Sequence, residues 1–158
     1  MTSSTKTYRE SSEIIRKYAR NYGGTEARIV FTNGCFDIIH PGHVDVLKKC
    51  RELAGPRGTV VVALNSDESV RRLKGPERPV FPEDARCEVV SAINGVDFAM
   101  TFEEDTPRSL LEELRPDIIV KGGDYRANEV VGADLALVVI VPTRHGFSTS
   151  QAIGRVGG

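Results

Sequence analysis

Two histidines, His40 and His43, flank a Pro41-Gly42 pair. Proline suits the first position of a helix, where its missing N–H would lack a partner anyway. His40 is therefore predicted as the N-cap, and His43 falls in the first turn. Two imidazoles then stand beside free backbone N–H groups at the positive end of a helix dipole, an arrangement that attracts phosphate. Gly42, without a side chain, lets an oxyanion approach the backbone. Two other readings fit the same four residues. A metal would use both rings, but two histidines fall short of a ligand set and no Cys or His cluster elsewhere completes one, so no metal ligand is assigned. The histidines would otherwise be incidental to an ordinary helix start, where Pro and Gly are common.

Four further polar clusters carry residues suited to the same chemistry. Asn33-Gly34-Cys35-Phe36-Asp37 precedes the histidines and reads as a tight turn at Gly34 after the first apolar run, and Asn65-Ser66-Asp67, Gly122-Gly123-Asp124 and Gly146-Phe147-Ser148-Thr149-Ser150 each follow a later apolar run. The Ser148 and Thr149 hydroxyls fit a plain helix N-cap, and equally a second phosphate cradle. Gly122-Gly123-Asp124 is a turn that any strand end can use. Arg72, Lys74 and Arg78 belong to a basic segment whose second half, with Gly75, Pro76 and Pro79, reads as a loop. Facing a phosphate site they become clamps for a phosphorylated substrate; elsewhere they are a solvated face. Arg86 falls in the first turn of a helix, where a cation opposes the dipole, so something else must hold it there. Cys35 has no base within sequence reach and reads as a small core residue rather than a nucleophile.

The elements that must position these residues follow from the apolar pattern. Residues 28–32, 59–64, 98–102, 118–120 and 137–141 are short, continuous apolar runs, the mark of strands buried on both faces. Between them lie helical patterns, beginning with a lead-in helix over 8–22 and the helix opened by Pro41, which runs to Gly55-Pro56. Others start near Pro82 and Thr106-Pro107, and a last short one covers 151–156. A hairpin at Asn33-Gly34 is excluded, because residues 37–43 lead into a helix and leave too short a return strand. The alternation predicts a doubly wound α/β sheet, in which ligands bind beyond the carboxyl ends of the strands where strand order reverses. All the polar clusters above would lie on that edge, as one site.

The chain of 158 residues is one domain's worth. A formal net charge of -1 offers no basic field for nucleic acid, and no apolar run approaches the ~20 residues of a membrane helix. No apolar signal segment opens the sequence, and three cysteines, Cys35, Cys50 and Cys87, form an odd set without metal-ligand spacing. A cytoplasmic protein is expected, with neither a nucleic-acid nor a membrane partner.

Asn33-Gly34-Cys35-Phe36-Asp37 followed by His40-Pro41-Gly42-His43 resembles the HxGH nucleotidyltransferase superfamily. Further similar blocks are Leu64-Asn65-Ser66-Asp67, Arg72-Leu73-Lys74-Gly75, Arg78-Pro79, Phe102 through Pro107, Val120 through Tyr125 and Gly146 through Thr149. Together they resemble its heptose 1-phosphate adenylyltransferase branch, over residues 28–156. The resemblance implies a Rossmann-like doubly wound parallel sheet of about five strands in a single domain, 1–158, with a lead-in helix in 1–26 and the core in 27–156. It implies ATP as co-substrate with Mg²⁺, and AMP transfer to a sugar 1-phosphate with release of pyrophosphate. His40, His43 and Lys74 would be catalytic. Asn33, Gly34, Cys35, Phe36, Gly42, Gly123, Asp124, Phe147, Ser148 and Thr149 would hold the nucleotide. Asp37, Asn65, Arg72, Arg78 and Arg86 would meet the substrate. Small-molecule partners, a homodimer and a separate sugar kinase (none precedes Met1) complete the expectation. Two features depart from the branch: a short segment over 132–138, and Arg144-His145 where some members have an acidic residue. Both are expected near the nucleotide base.

Overall fold

The computed structural model describes residues 3–157, so Met1, Thr2 and Gly158 of the expected 1–158 span lie outside the described residues. The five apolar runs form one sheet: β1 (Ile29–Gly34), β2 (Thr59–Asn65), β3 (Phe98–Phe102), β4 (Ile118–Gly122) and β5 (Leu137–Val141). Every neighbouring pair is parallel, in the order β3-β2-β1-β4-β5. From β1 the chain builds outward through β2 and β3, then returns to lay β4 and β5 on the other side. The order reverses between β1 and β4, and a crevice opens at the carboxyl ends of that pair.

Alternate residues of the strands face opposite layers. Phe31, Val61, Ala63 and Ile119 pack with α5 (Arg108–Leu114) and the lead-in helix α1 (Ser3–Gly23), which contributes Tyr8, Ile15 and Ala19. Val30, Val60, Val62, Leu64 and Val120 pack on the other face with α2 (Pro41–Ala54) and α4 (Glu83–Ser91). Two short helices complete the frame: α3 (Asp67–Lys74), capped by Ser66, and α6 (Thr149–Gly157).

Three expectations change. Gly34 does not make the turn after β1, because it pairs with Leu64 as the last residue of the strand. The reversal falls instead on Phe36, a non-glycine with φ +48°. The final helix starts at Thr149 rather than 151, because the Ser148 hydroxyl accepts from the Gln151 N–H at 3.1 Å and caps it there. Nor does the short 132–138 segment lie at the carboxyl edge of the sheet, since it leads into the amino end of β5. A Cβ on Gly132 would lie 2.7 Å from Ile119 Cδ1 and from Leu111 Cδ1, so this segment is pressed onto the α5 side of the core.

Ser12 lies on the buried stripe of α1 between Tyr8 and Ile15, and among the described residues its hydroxyl has no hydrogen-bond partner. A desolvated, unsatisfied hydroxyl costs about 1 kcal/mol or more. Ser12→Ala is therefore expected to raise Tm by about 2–4 °C, read by thermal denaturation; a lower Tm would mean that the hydroxyl is bonded in solution.

Candidate active site

The site is built on the join between β1 and α2. Left-handed Phe36 turns the chain at the end of β1, and its ring is buried against His43, centroids 5.0 Å apart. His40 caps α2 in extended conformation, and its Nδ1 accepts from the Gly42 N–H at 3.1 Å. In return His43 Nδ1 accepts from the His40 N–H at 3.2 Å. The two rings stack with centroids 3.8 Å apart. An Nδ1 that accepts a backbone proton cannot carry one, so each neutral ring holds its proton on Nε2. This corrects the expectation of free N–H groups beside the imidazoles. Two of those N–H groups are taken by the rings, and the Nε2–H groups become the donors. Gly42 has a related correction: a Cβ there would meet His40 Cε1 at 2.8 Å, so the missing side chain makes room for the ring.

Both histidines are held neutral. Burial lowers His40, and burial with the added effect of the His40 ring pushes His43 down to about 4. The rings are thus poised as hydrogen-bond donors rather than as cations or general acids at neutral pH.

Two connected cavities share this floor. The first lies between α2 and the ends of β4 and β5, lined by Asn33, Gly34, Phe36, His40, Gly42, His43, Gly123 and Phe147 among the predicted residues. The second is lined by Asn33, Gly34, Cys35, Phe36, His43, Asn65, Lys74, Arg78, Ser148 and Thr149. Thr149 Oγ1 donates to the Ile38 carbonyl at 3.2 Å, pinning the start of α6 over the β1–α2 loop. Fourteen residues separated by up to 116 positions (33 to 149) thus meet on one edge, as the clusters predicted.

Four predicted substrate or nucleotide contacts sit elsewhere. Arg86 is 1 % exposed and fully engaged: Nη1 donates to the carbonyls of Cys35 and Asn65 at 2.7 and 2.8 Å, Nη2 to Asp67 at 2.8 Å and Nε to Phe81 O at 2.9 Å. It ties the carboxyl ends of β1 and β2 to the 75–82 loop, which explains a cation so near the start of α4. Asp37 is likewise buried; it accepts from Arg78 Nε and from the Val80 and Phe81 N–H groups, which keep its carboxyl ionised against the cost of burial. Both are positioning residues under the site. Arg72 is bound to Asp105 and the Glu103 carbonyl and lines neither cavity. Asp124 is exposed and lines neither.

Lys121 lines the site without a sequence-based assignment, and Arg144, expected near the nucleotide base, lines it too. Lys121, the penultimate residue of β4, lines both cavities. The signal was a lysine closing a buried apolar strand at the carboxyl edge, overshadowed by the glycines that follow it. Arg144 lines the first cavity and pairs with Asp45 of α2. With Lys74 and Arg78, these cations suit the site to a polyanion. Among the described residues no group of three or more His, Cys, Asp or Glu could hold a metal ion.

Comparison with known proteins places this geometry. Residues 31–146 match the Cytidylyltransferase-like family. Over 136 residues, 83 % of this chain and 27 % of the relative, the chain is 50 % identical to the bifunctional protein HldE of Nitrobacter hamburgensis. Over 148 residues, 93 % of this chain and 31 % of the relative, it is 45 % identical to that of Nitratiruptor sp.. The chain thus spans less than a third of these curated relatives. Among solved structures, a lipopolysaccharide core biosynthesis protein from Thermoplasma volcanium superposes with a TM-score of 0.61 at 30 % identity, covering 75 % of this chain and 97 % of that one.

The depressed His43 has a measurable consequence. An unfolded His43 protonates near 6.5 and the folded one near 4, so protons bind the unfolded chain first. The stability present above pH 6.5 is lost as pH falls toward 4. His43→Gln lacks that ionisation, so the Tm difference between wild type and variant should shift against the wild type over this interval. Parallel Tm curves from pH 7 to 4 would show that the folded ring titrates normally.

Proposed function

The chain belongs to the Cytidylyltransferase-like family, and from that premise we propose that it transfers AMP from ATP to a sugar 1-phosphate, D-glycero-D-manno-heptose 1-phosphate, releasing pyrophosphate. The observation that carries the reading is the pair of back-bonded imidazoles, which offer two fixed Nε2–H donors to the triphosphate.

An oxygen of the acceptor phosphate attacks the α-phosphorus of the nucleotide. The new P–O bond forms as the bond from the α-phosphorus to the bridging oxygen breaks, and pyrophosphate leaves with the electron pair. Nucleophile and leaving group are both phosphate oxyanions, so no proton need move in the step. Neutral donors and fixed cations are what such a reaction asks of a protein, since positioning and electrostatics carry most of phosphoryl-type catalysis. His40 and His43 stabilise the charge growing toward the leaving group. Lys74 and Arg78 meet phosphate oxygens in the second cavity, where Arg78 is already aimed by Asp37. Asn33, Gly34, Phe36, Gly123 and Phe147 form the nucleotide pocket, with Ser148 and Thr149 at its rim. Mg²⁺, held by the triphosphate, would offset its charge.

The same proposal includes a single domain over 1–158, a cytoplasmic location where ATP is available, and a homodimer, for which half-exposed Val80, Phe81 and Val89 offer apolar surface. A sugar kinase reaction must supply the sugar 1-phosphate. Among the described residues no helix is long and apolar enough to cross a membrane.

Pyrophosphate release, measured with ATP and CTP each crossed against heptose 1-phosphate and glycerol 3-phosphate, tests the reading. Turnover with ATP and heptose 1-phosphate is expected; CTP with glycerol 3-phosphate would make the chain a polyol-phosphate cytidylyltransferase, and silence with every pair a nucleotide-binding regulator. His40→Asn keeps a good N-cap acceptor and removes the Nε2–H donor. It should lower kcat by about 10²–10³ with little change in Tm, whereas an unchanged kcat would remove His40 from the mechanism.

A further inference from the structure

We infer that Lys121 is a catalytic residue of this transfer, its ammonium placed on the acceptor phosphate where that group meets the α-phosphorus, with the hydroxylated body of the acceptor lying in a small acidic chamber beyond it. The inference rests on the nucleotidyl-transfer reading and adds to it the residue at the reacting centre and the orientation of the acceptor.

Lys121 and Asn33 line both cavities of the site and also a third chamber. They mark the point where the three spaces meet, beside the reversal of strand order. The chamber is walled by Asp105, Thr106, Tyr125 and Glu129, with Pro107 and Val130 behind. Lys121 is partly buried, and among the described residues its ammonium makes no hydrogen bond and no ion pair; the centroid of the Tyr125 ring lies 5.6 Å from it. Burial pushes its pKa down, Cys35 acting against that and Lys74 adding to it. A desolvated cation without an anion is a cost the fold bears, and a phosphate at the junction removes it.

The chamber beyond has the opposite character. Asp105 is held by Arg72 at 2.9 Å, and neither it nor Glu129 reaches Lys121. Carboxylates repel the phosphates of a nucleotide but accept hydrogen bonds from hydroxyl groups. The half-exposed Tyr125 ring adds an apolar face for sugar C–H groups. A polyhydroxylated phosphate fits in one direction only: phosphate on Lys121, hydroxyls toward Asp105 and Glu129. That direction points an acceptor oxygen at the nucleotide in the first cavity. As this oxygen bonds to the α-phosphorus and pyrophosphate departs with its electrons, the ammonium stays on the phosphate group being joined and no proton is exchanged.

The test uses the full chain, with pyrophosphate release from ATP and heptose 1-phosphate and thermal denaturation without ligand. Lys121→Met should lower kcat by at least about 10²-fold, leave the KM for ATP within about threefold, and leave Tm unchanged or higher, because an uncompensated charge is gone. Glu129→Gln should raise the KM for heptose 1-phosphate about tenfold, the loss of one hydrogen bond to a charged group, without moving the KM for ATP. A kcat retained in Lys121→Met, or lost together with a clear fall in Tm, would overturn the assignment, as would an unmoved acceptor KM in Glu129→Gln. Silence of the wild type with every nucleotide and acceptor pair would instead overturn the transfer reading, and this inference with it.

Discussion

The interaction on which the rest depends is the reciprocal bond between two imidazoles and the backbone that carries them. His40 Nδ1 takes the Gly42 N–H, and His43 Nδ1 takes the His40 N–H. A helix start ordinarily presents its own N–H groups to an anion. Here two of those donors are passed through aromatic rings, which move the donor atoms outward and fix their direction. The hydrogen bonds from backbone N–H into each ring lie at the positive end of the helix dipole, which polarises them. Both rings serve as neutral donors because burial disfavours their charged forms.

That geometry needs a rigid floor, and two buried charged groups supply it. Arg86 holds the carbonyls of Cys35 and Asn65, so the ends of β1 and β2 cannot part. Asp37 gathers Arg78 and two N–H groups of the following loop, which sets the basic wall opposite the histidines. Neither side chain is open to substrate. Each spends its charge inside the protein, where one lost partner would leave the other desolvated and uncompensated. Lys74 and Lys121, which also line the cavities, take no part in these two buried clusters.

Much of this was legible in the residue order. Five continuous apolar runs mark the strands to within two residues at either end, since buried parallel strands need continuous apolar sequence. Pro41 marked α2, and the polar clusters after each strand converged because a doubly wound sheet brings its strand ends to one edge. What stayed hidden was side-chain commitment. Arg86, buried, and Lys74, exposed at the cavity, both read as cations for a phosphate; the one sign that separates them is the position of Arg86 near a helix start, where a cation opposes the dipole and must be held by something else. The turn after β1 was placed on Gly34 because glycine is the usual left-handed residue, whereas burial of the Phe36 ring under His43 holds a phenylalanine in that conformation. The short 132–138 segment was expected at the nucleotide because of its place in the chain; close packing of Gly132 on Leu111 and Ile119 puts it on the opposite flank.

The direct measurement is of the two rings themselves. Nitrogen-15 NMR of the histidines at neutral pH reports which ring nitrogen carries the proton, and repeating it with ATP reports which nitrogen meets the ligand. Both His40 and His43 should be neutral, protonated on Nε2, with the Nε2–H signals moving when ATP is added. Protonation on Nδ1, or rings that titrate as free imidazoles and ignore the nucleotide, would contradict the arrangement from which the function is argued.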